Sequence, residues 1–147
     1  MMRFKLAIGC MLSLLLCYAQ LASADDKPYK EGTVWQITFI KVKPGMFDVY
    51  MADLLPKRKK IFEESHKAGL VVSEKLLSGD AFGQGDFDLI LMTEYKNFAA
   101  FDGLSDKFDA IMSKVIGNQD AQVKTMVKRT ETREIVGSKV MQELNYK

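Results

Sequence analysis

The ten residues Thr33–Val42, TVWQITFIKV, constrain this chain more than any other stretch. They are rich in β-branched and aromatic side chains and read as a β-strand. Trp35, Ile37 and Phe39 fall on one face. Gln36 and Thr38 fall on the other, between Val34 and Ile40. Both faces therefore carry apolar residues, and a strand of that kind must be covered on both sides. Lys43-Pro44-Gly45 ends it as a turn.

The rest of the chain supplies the covering. Met46–Lys67 has apolar residues at close to helical spacing and reads as a long helix. Pro56 interrupts it, which predicts a kink or two abutting helices. Lys67-Ala68-Gly69 is a helix stop, with a cation near the negative end and a glycine after it. Leu70–Ser78 is a second predicted strand and Phe87–Tyr95 a third, joined by the glycine-rich segment Gly79–Asp86 as an antiparallel hairpin. Asn97 is placed to cap a second helix, whose Phe98, Phe101, Leu104, Phe108, Ile111, Met112 and Val115 form an apolar stripe. Gly103 and Ser105 divide that helix and Gly117 ends it. Gln119–Lys128 reads as a further short helix, and Glu134–Tyr146 as a last strand. The order β-α-β-β-α-(α)-β is the split βαβ arrangement of α+β proteins, an antiparallel sheet with helices on one face. The other face is then bare, and a second copy of the same sheet, packed by two-fold symmetry, would cover it.

Residues 1–24 stand outside this pattern. A basic start, MMRFK, precedes an apolar run and the small-x-small exit Ala22-Ser23-Ala24. That order is the signature of a secretory signal peptide. The alternative is a transmembrane anchor, for which the run is short. Cleavage after Ala24 predicts an exported protein, periplasmic or secreted, with no stable membrane anchor. Residues 25–32 form a polar, exposed lead-in, and 33–147 a single domain. Cys10 and Cys17 leave with the signal, so no disulfide is expected and the core alone must hold the fold. Arg3 and Lys5 also leave, which takes the formal charge from +2 to zero. A generally basic, nucleic-acid-binding surface is not indicated.

The segments ITFIKVKPGMFDVYMADL, AGLVVSEKLLSG and FDLILMTEYKNFAAFDGL together resemble the dimeric α/β-barrel superfamily. The matching pieces are a strand ending in Val-Lys-Pro-Gly, a helix with an aromatic near its start, a Gly-started second strand, and a third strand ending in Glu94-Tyr95 before a Phe-rich helix. The resemblance covers Thr33 to about Ile116. It implies a ferredoxin-like fold that pairs as a homodimer through the open sheet face. The superfamily includes antibiotic-biosynthesis-type monooxygenases, haem-handling enzymes, stress-responsive proteins and NIPSNAP-like proteins, whose ligands lie between sheet and helices. No complete catalytic signature of those enzymes is present.

His66 is the only histidine. Near a helix C-terminus it is either a solvated or capping residue, or an acid/base or axial haem ligand. Zinc needs more nitrogen or sulfur ligands than the chain offers, and no metal site is expected. Trp35, Phe39, Tyr50 and Phe87 are the candidates for lining a ligand pocket; the alternative for such aromatics is core or dimer interface. Tyr50 is singled out because its hydroxyl needs a partner if buried and the superfamily's first helix borders its cavity; with His66 it is the candidate for a catalytic role. The run Lys57-Arg58-Lys59-Lys60 reads as a solvated helix face offset by Asp53, Glu63 and Glu64, or else as a contact for phosphate, an acidic partner or an anionic membrane. The segment Gly79–Asp86 has neither the context nor the Gly-Lys-Ser/Thr of a phosphate loop, and its acids do not match an EF-hand. The function expected is enclosure of a small, mostly apolar ligand between sheet and helices, with Tyr50 and His66 as candidate polar contacts and no cofactor, or else a role as an interaction module only. A cofactor-independent monooxygenase or a haem-handling enzyme is the alternative.

Overall fold

The computed structural model describes residues 27–83 and 85–147. The segment read as a signal peptide lies outside the described residues. The chain divides into two compact units. Glu31–Asn145 carries the site described below. The described part of the other is Lys27–Lys30 with Tyr146 and Lys147.

The elements are β1 (Tyr29–Val42), α1 (Phe47–Lys67), β2 (Ser73–Ser78), β3 (Leu89–Tyr95), a 3-10 turn (Phe98–Phe101), α2 (Leu104–Val115), α3 (Gln119–Thr130) and β4 (Arg133–Tyr146). The sheet order is β2-β3-β1-β4. β3 lies antiparallel to both β1 and β2. Lys43 N donates to Thr132 O at 2.9 Å and Thr33 Oγ1 donates to Glu143 at 3.3 Å, so β4 runs antiparallel to β1. α1 carries the chain past a vacant strand position, and the hairpin returns β3 into it. This is the ferredoxin-like α+β topology.

β1 begins at Tyr29, four positions earlier than the alternation predicted. Pro28 stands just before it, where its missing N–H interrupts no ladder. α1 is one continuous helix of 21 residues through Pro56, not two abutting ones. The proline removes the bond to the Ala52 carbonyl, and both residues are exposed, so water can satisfy that oxygen. Tyr50, Leu54, Arg58, Ile61, Phe62 and Ser65 recur every three or four residues and share the helix's inner face. The helix closes as Gly69 N donates to His66 O and Leu70 N to Ser65 O, both at 2.9 Å. Gly69 adopts φ 69°, the left-handed conformation that glycine meets without strain.

The second helical region corrects one expectation. Asn97 makes no side-chain cap and leads only into the 3-10 turn. The capping asparagine is Asn118, whose Oδ1 accepts from Ala121 N at 3.1 Å and starts α3.

Strand register sorts the side chains. On the helix side, Gln36 pairs with Thr93 and Thr93 with Glu74, a polar row across three strands. Beside it, Ile40, Val42 and Leu89 join Tyr50 and Leu54 in the buried core. On the opposite side, Phe39 packs on Phe87 with ring centroids 4.7 Å apart. The Lys75 ammonium lies 4.9 Å from the Trp35 ring centroid. Period-two alternation from Arg133 and Ile135, which face the helices, places Val136 and Val140 on this outer side. Each is 47% exposed. Among the described residues no helix is long and apolar enough to cross a membrane.

Candidate functional site

A cavity of about 240 Å³ lies between the helix side of the sheet and helices α1, α2 and α3. The sheet contributes the row Gln36–Thr93–Glu74 together with Thr38, Ile40, Leu91 and Tyr95. α1 contributes its inner face from Tyr50 to Ser65. α2 adds Phe108, α3 adds Arg129, and β4 adds Arg133 and Ile135. A neighbouring recess shares Gln36, Tyr95 and Phe108 with it.

Arg58 reaches from α1 onto the polar row. One Nη donates to Met92 O at 3.2 Å and to Thr93 Oγ1 at 3.3 Å. Its Nε lies 2.8 Å from Glu74 Oε2 but is not aligned for a hydrogen bond, so this contact is Coulombic. The two side chains are only 17% and 18% exposed. Burial pushes the Glu74 carboxyl above the usual carboxylate range, with Arg58 pulling the other way. Burial likewise lowers the Arg58 guanidinium, with Glu74 opposing. The Tyr95 hydroxyl donates to Gln36 Oε1 at 3.1 Å, and burial raises its pKa.

Arg129 Nε donates to Asp53 Oδ2 at 2.9 Å, and Lys57 donates to the other oxygen of Asp53. Burial acts to raise the Asp53 carboxyl, but these two hydrogen bonds and charges outweigh it and hold the group below its ordinary value. The Arg133 guanidinium sits 5.7 Å from the centroid of the Tyr50 ring, a cation–π contact. The Arg133 Nε is buried and makes no hydrogen bond among the described residues, and the same holds for the hydroxyl of Ser65, a residue 1% exposed. The site thus offers charge and hydrogen bonding along the polar row and around Tyr50. Ile61, Phe62, Val71 and Phe108 offer apolar contact beyond.

Of the residues singled out in the sequence, Tyr50 lines this cavity and is 1% exposed. Trp35, Phe39 and Phe87 stand on the other side of the sheet. His66 is exposed against the Phe62 ring, centroids 5.5 Å apart, and does not line the cavity. No group of three or more His, Cys, Asp or Glu that could hold a metal occurs among the described residues.

Arg58 stands in the sequence only as a member of a basic run on a solvated helix face, and Glu74, Arg129 and Arg133 carry no motif. Arg58 carried a usable signal: it lies four residues after Leu54 and eight after Tyr50, so helical spacing puts it on the buried face. Arg129 and Arg133 are placed by tertiary contacts and carried no local signal.

No family model and no curated protein matches the chain. Among solved structures it is similar to a dimeric ferredoxin-like protein from an uncultured marine organism. The TM-score is 0.47 and the identity 11%, over 78% of this chain and 95% of that chain. It is also similar to HapK from Hahella chejuensis, with TM-score 0.42 and 16% identity, again over 78% and 95%. The chain's own strand order and helix placement define its class, a ferredoxin-like α+β protein with a partly open cavity between sheet and helices.

Proposed function

We propose that this chain is an exported, homodimeric binding protein whose cavity takes a small, mostly apolar molecule. The observation that carries the reading is the cavity of about 240 Å³, apolar for much of its wall, with a few fixed polar groups converging on it. Export is supported by the basic start, apolar run and Ala22-Ser23-Ala24 exit. Dimerisation is supported by the outer sheet side, where Trp35, Ile37 and Phe39 lie beside half-exposed Leu77, Val136 and Val140. Tyr50 provides part of the polar lining, and no role in catalysis is assigned to His66.

A native mass spectrum of the protein beginning at Asp25, purified without added ligand, tests the pairing and the bound molecule; the N-terminal sequence of the protein recovered from cells tests cleavage after Ala24. Twice the chain mass plus a reproducible small increment is the expected result. Twice the chain mass alone supports the dimer and calls for the ligand titrations below. A monomer overturns the pairing, and a haem increment overturns the cofactor-free reading.

A further inference from the structure

We propose that the molecule taken by this cavity is an elongated monocarboxylate, its carboxylate seated on Arg133 beside Tyr50 and its apolar body running along α1 past Leu54 and alongside the Arg58–Glu74 pair toward Ile61 and Phe62. The inference rests on the cavity being a ligand site and goes further by assigning charge, shape and orientation.

Charge comes first. Three guanidiniums line the cavity, those of Arg58, Arg129 and Arg133, against one carboxylate, Glu74. Arg58 is matched by Glu74 and Arg129 by Asp53. Arg133 pairs with no carboxylate among the described residues. Its Nε is buried and unbonded, and its one recorded contact is the Tyr50 ring. A buried donor without an acceptor is costly, and an anion there would satisfy it. One unmatched cation calls for one negative charge. A doubly charged head group would bring a surplus charge into a space that already holds Glu74.

Position separates the seat from Glu74. Glu74 belongs to the row of Gln36, whereas Arg133 follows Thr132, which bonds Lys43 just past the end of β1. At about 3.3 Å per residue, Gln36 and Val42 are about 20 Å apart along the strand. Arg133 and Glu74 therefore stand at well-separated levels along the sheet, so the two carboxylates do not share one seat.

Shape follows from α1. From Tyr50 to Phe62 the helix advances about 18 Å, and its inner face lines the cavity over that whole length. A cavity of about 150 Å³ accepts benzene. This one has about 240 Å³ drawn out along a helix, which suits a single alkyl chain better than a compact ring system.

The test compares decanoate with 1-decanol, equal in chain length and different in charge, by isothermal titration calorimetry at neutral pH. The wild-type protein should bind decanoate at least about tenfold more tightly, a difference of about 1.4 kcal/mol. Arg133→Gln should abolish that preference by weakening decanoate alone, and Arg133→Lys should restore part of it. Equal affinity for both ligands in the wild type overturns the carboxylate assignment and leaves the cavity reading standing. Binding of neither overturns both. A preference that survives in Arg133→Gln overturns the seat. Should Arg133→Gln fail to fold, the wild-type comparison and Arg133→Lys still decide.

Discussion

Arg58 on α1 and Glu74 on β2 meet at the cavity wall with 2.8 Å between Nε and Oε2, at 17% and 18% exposure. Two charges held so far out of water stabilise the fold little relative to apolar residues of the same size. Losing one partner is a different matter, because it strands the other. Arg58→Met should therefore lower unfolding free energy by about 2 kcal/mol, short of the full-burial range because some solvent reaches the pair. Arg58→Met combined with Glu74→Leu should recover most of that loss. Urea denaturation of the two variants checks it. A double variant no more stable than the single would show that the hydrogen bonds from Arg58 to Met92 and Thr93 matter more than the stranded carboxylate.

Asp53 links α1 to α3 by accepting from Lys57 and Arg129. Its pKa is held below the ordinary value, so its contribution to stability is present above that value and is lost as pH falls through the folded one. Asp53→Asn should cost about 1 kcal/mol near pH 7. The gap between wild type and variant should narrow as pH falls below about 4, the ordinary aspartate value. Glu74, raised by burial, contributes in the opposite sense, with stability lost as pH rises through its folded value. It is present in both proteins and cancels in the difference. Urea midpoints at stepped pH values measure the gap, and a gap that stays constant down to pH 3 would refute the assignment.

Much of the fold was legible in the sequence because it is written in local patterns. The alternation in Thr33–Val42 set the central strand and its two faces, and the stripe from Tyr50 to Phe62 set α1. Where local rules misled, tertiary context had overruled them. Pro56 predicted a kink or two abutting helices, yet the helix runs on through it, because its position faces water, where a lost hydrogen bond is easily replaced. The site was less legible. Gln36 and Thr38 were visible as polar residues on an apolar face, but the aromatics Trp35 and Phe39, the stronger pocket signal by type, lie on the opposite side. Arg58 was hidden inside a basic run in which Lys59 and Lys60 are exposed and Lys57, half-buried, pairs with Asp53. Arg129 and Arg133 reach the cavity only because β4 returns beside β1, which no local window reports.

His66 drew attention as the single histidine, and the structure gives it an exposed place against Phe62. A surface substitution of this kind moves stability by less than about 0.5 kcal/mol. His66→Gln should show that small change in thermal denaturation and leave decanoate affinity unaltered. The same pair of proteins titrated with haem separates the remaining alternative. A Soret signature present in wild type and absent in His66→Gln would return this residue to the site.

The outer side of the sheet carries the last prediction. Val136 and Val140 are each 47% exposed, and alternation sets them beside Ile37 and Phe39. In a lone chain, charging such positions is cheap, because the new side chains remain in water. In a dimer packed through this face, each arginine would have to be buried, and two-fold symmetry would present every substitution twice, like charge against like. Val136→Arg with Val140→Arg should therefore convert the protein to a monomer in light scattering after size exclusion, while circular dichroism stays that of a folded chain. Losing the dimer's contribution should also make its thermal midpoint independent of protein concentration, where the wild type's rises with concentration. A double variant that remains dimeric would move the interface to another surface, the long edge of β4 being the next to test. A variant that unfolds would show that the outer side is part of the core of the single chain, contrary to its exposure.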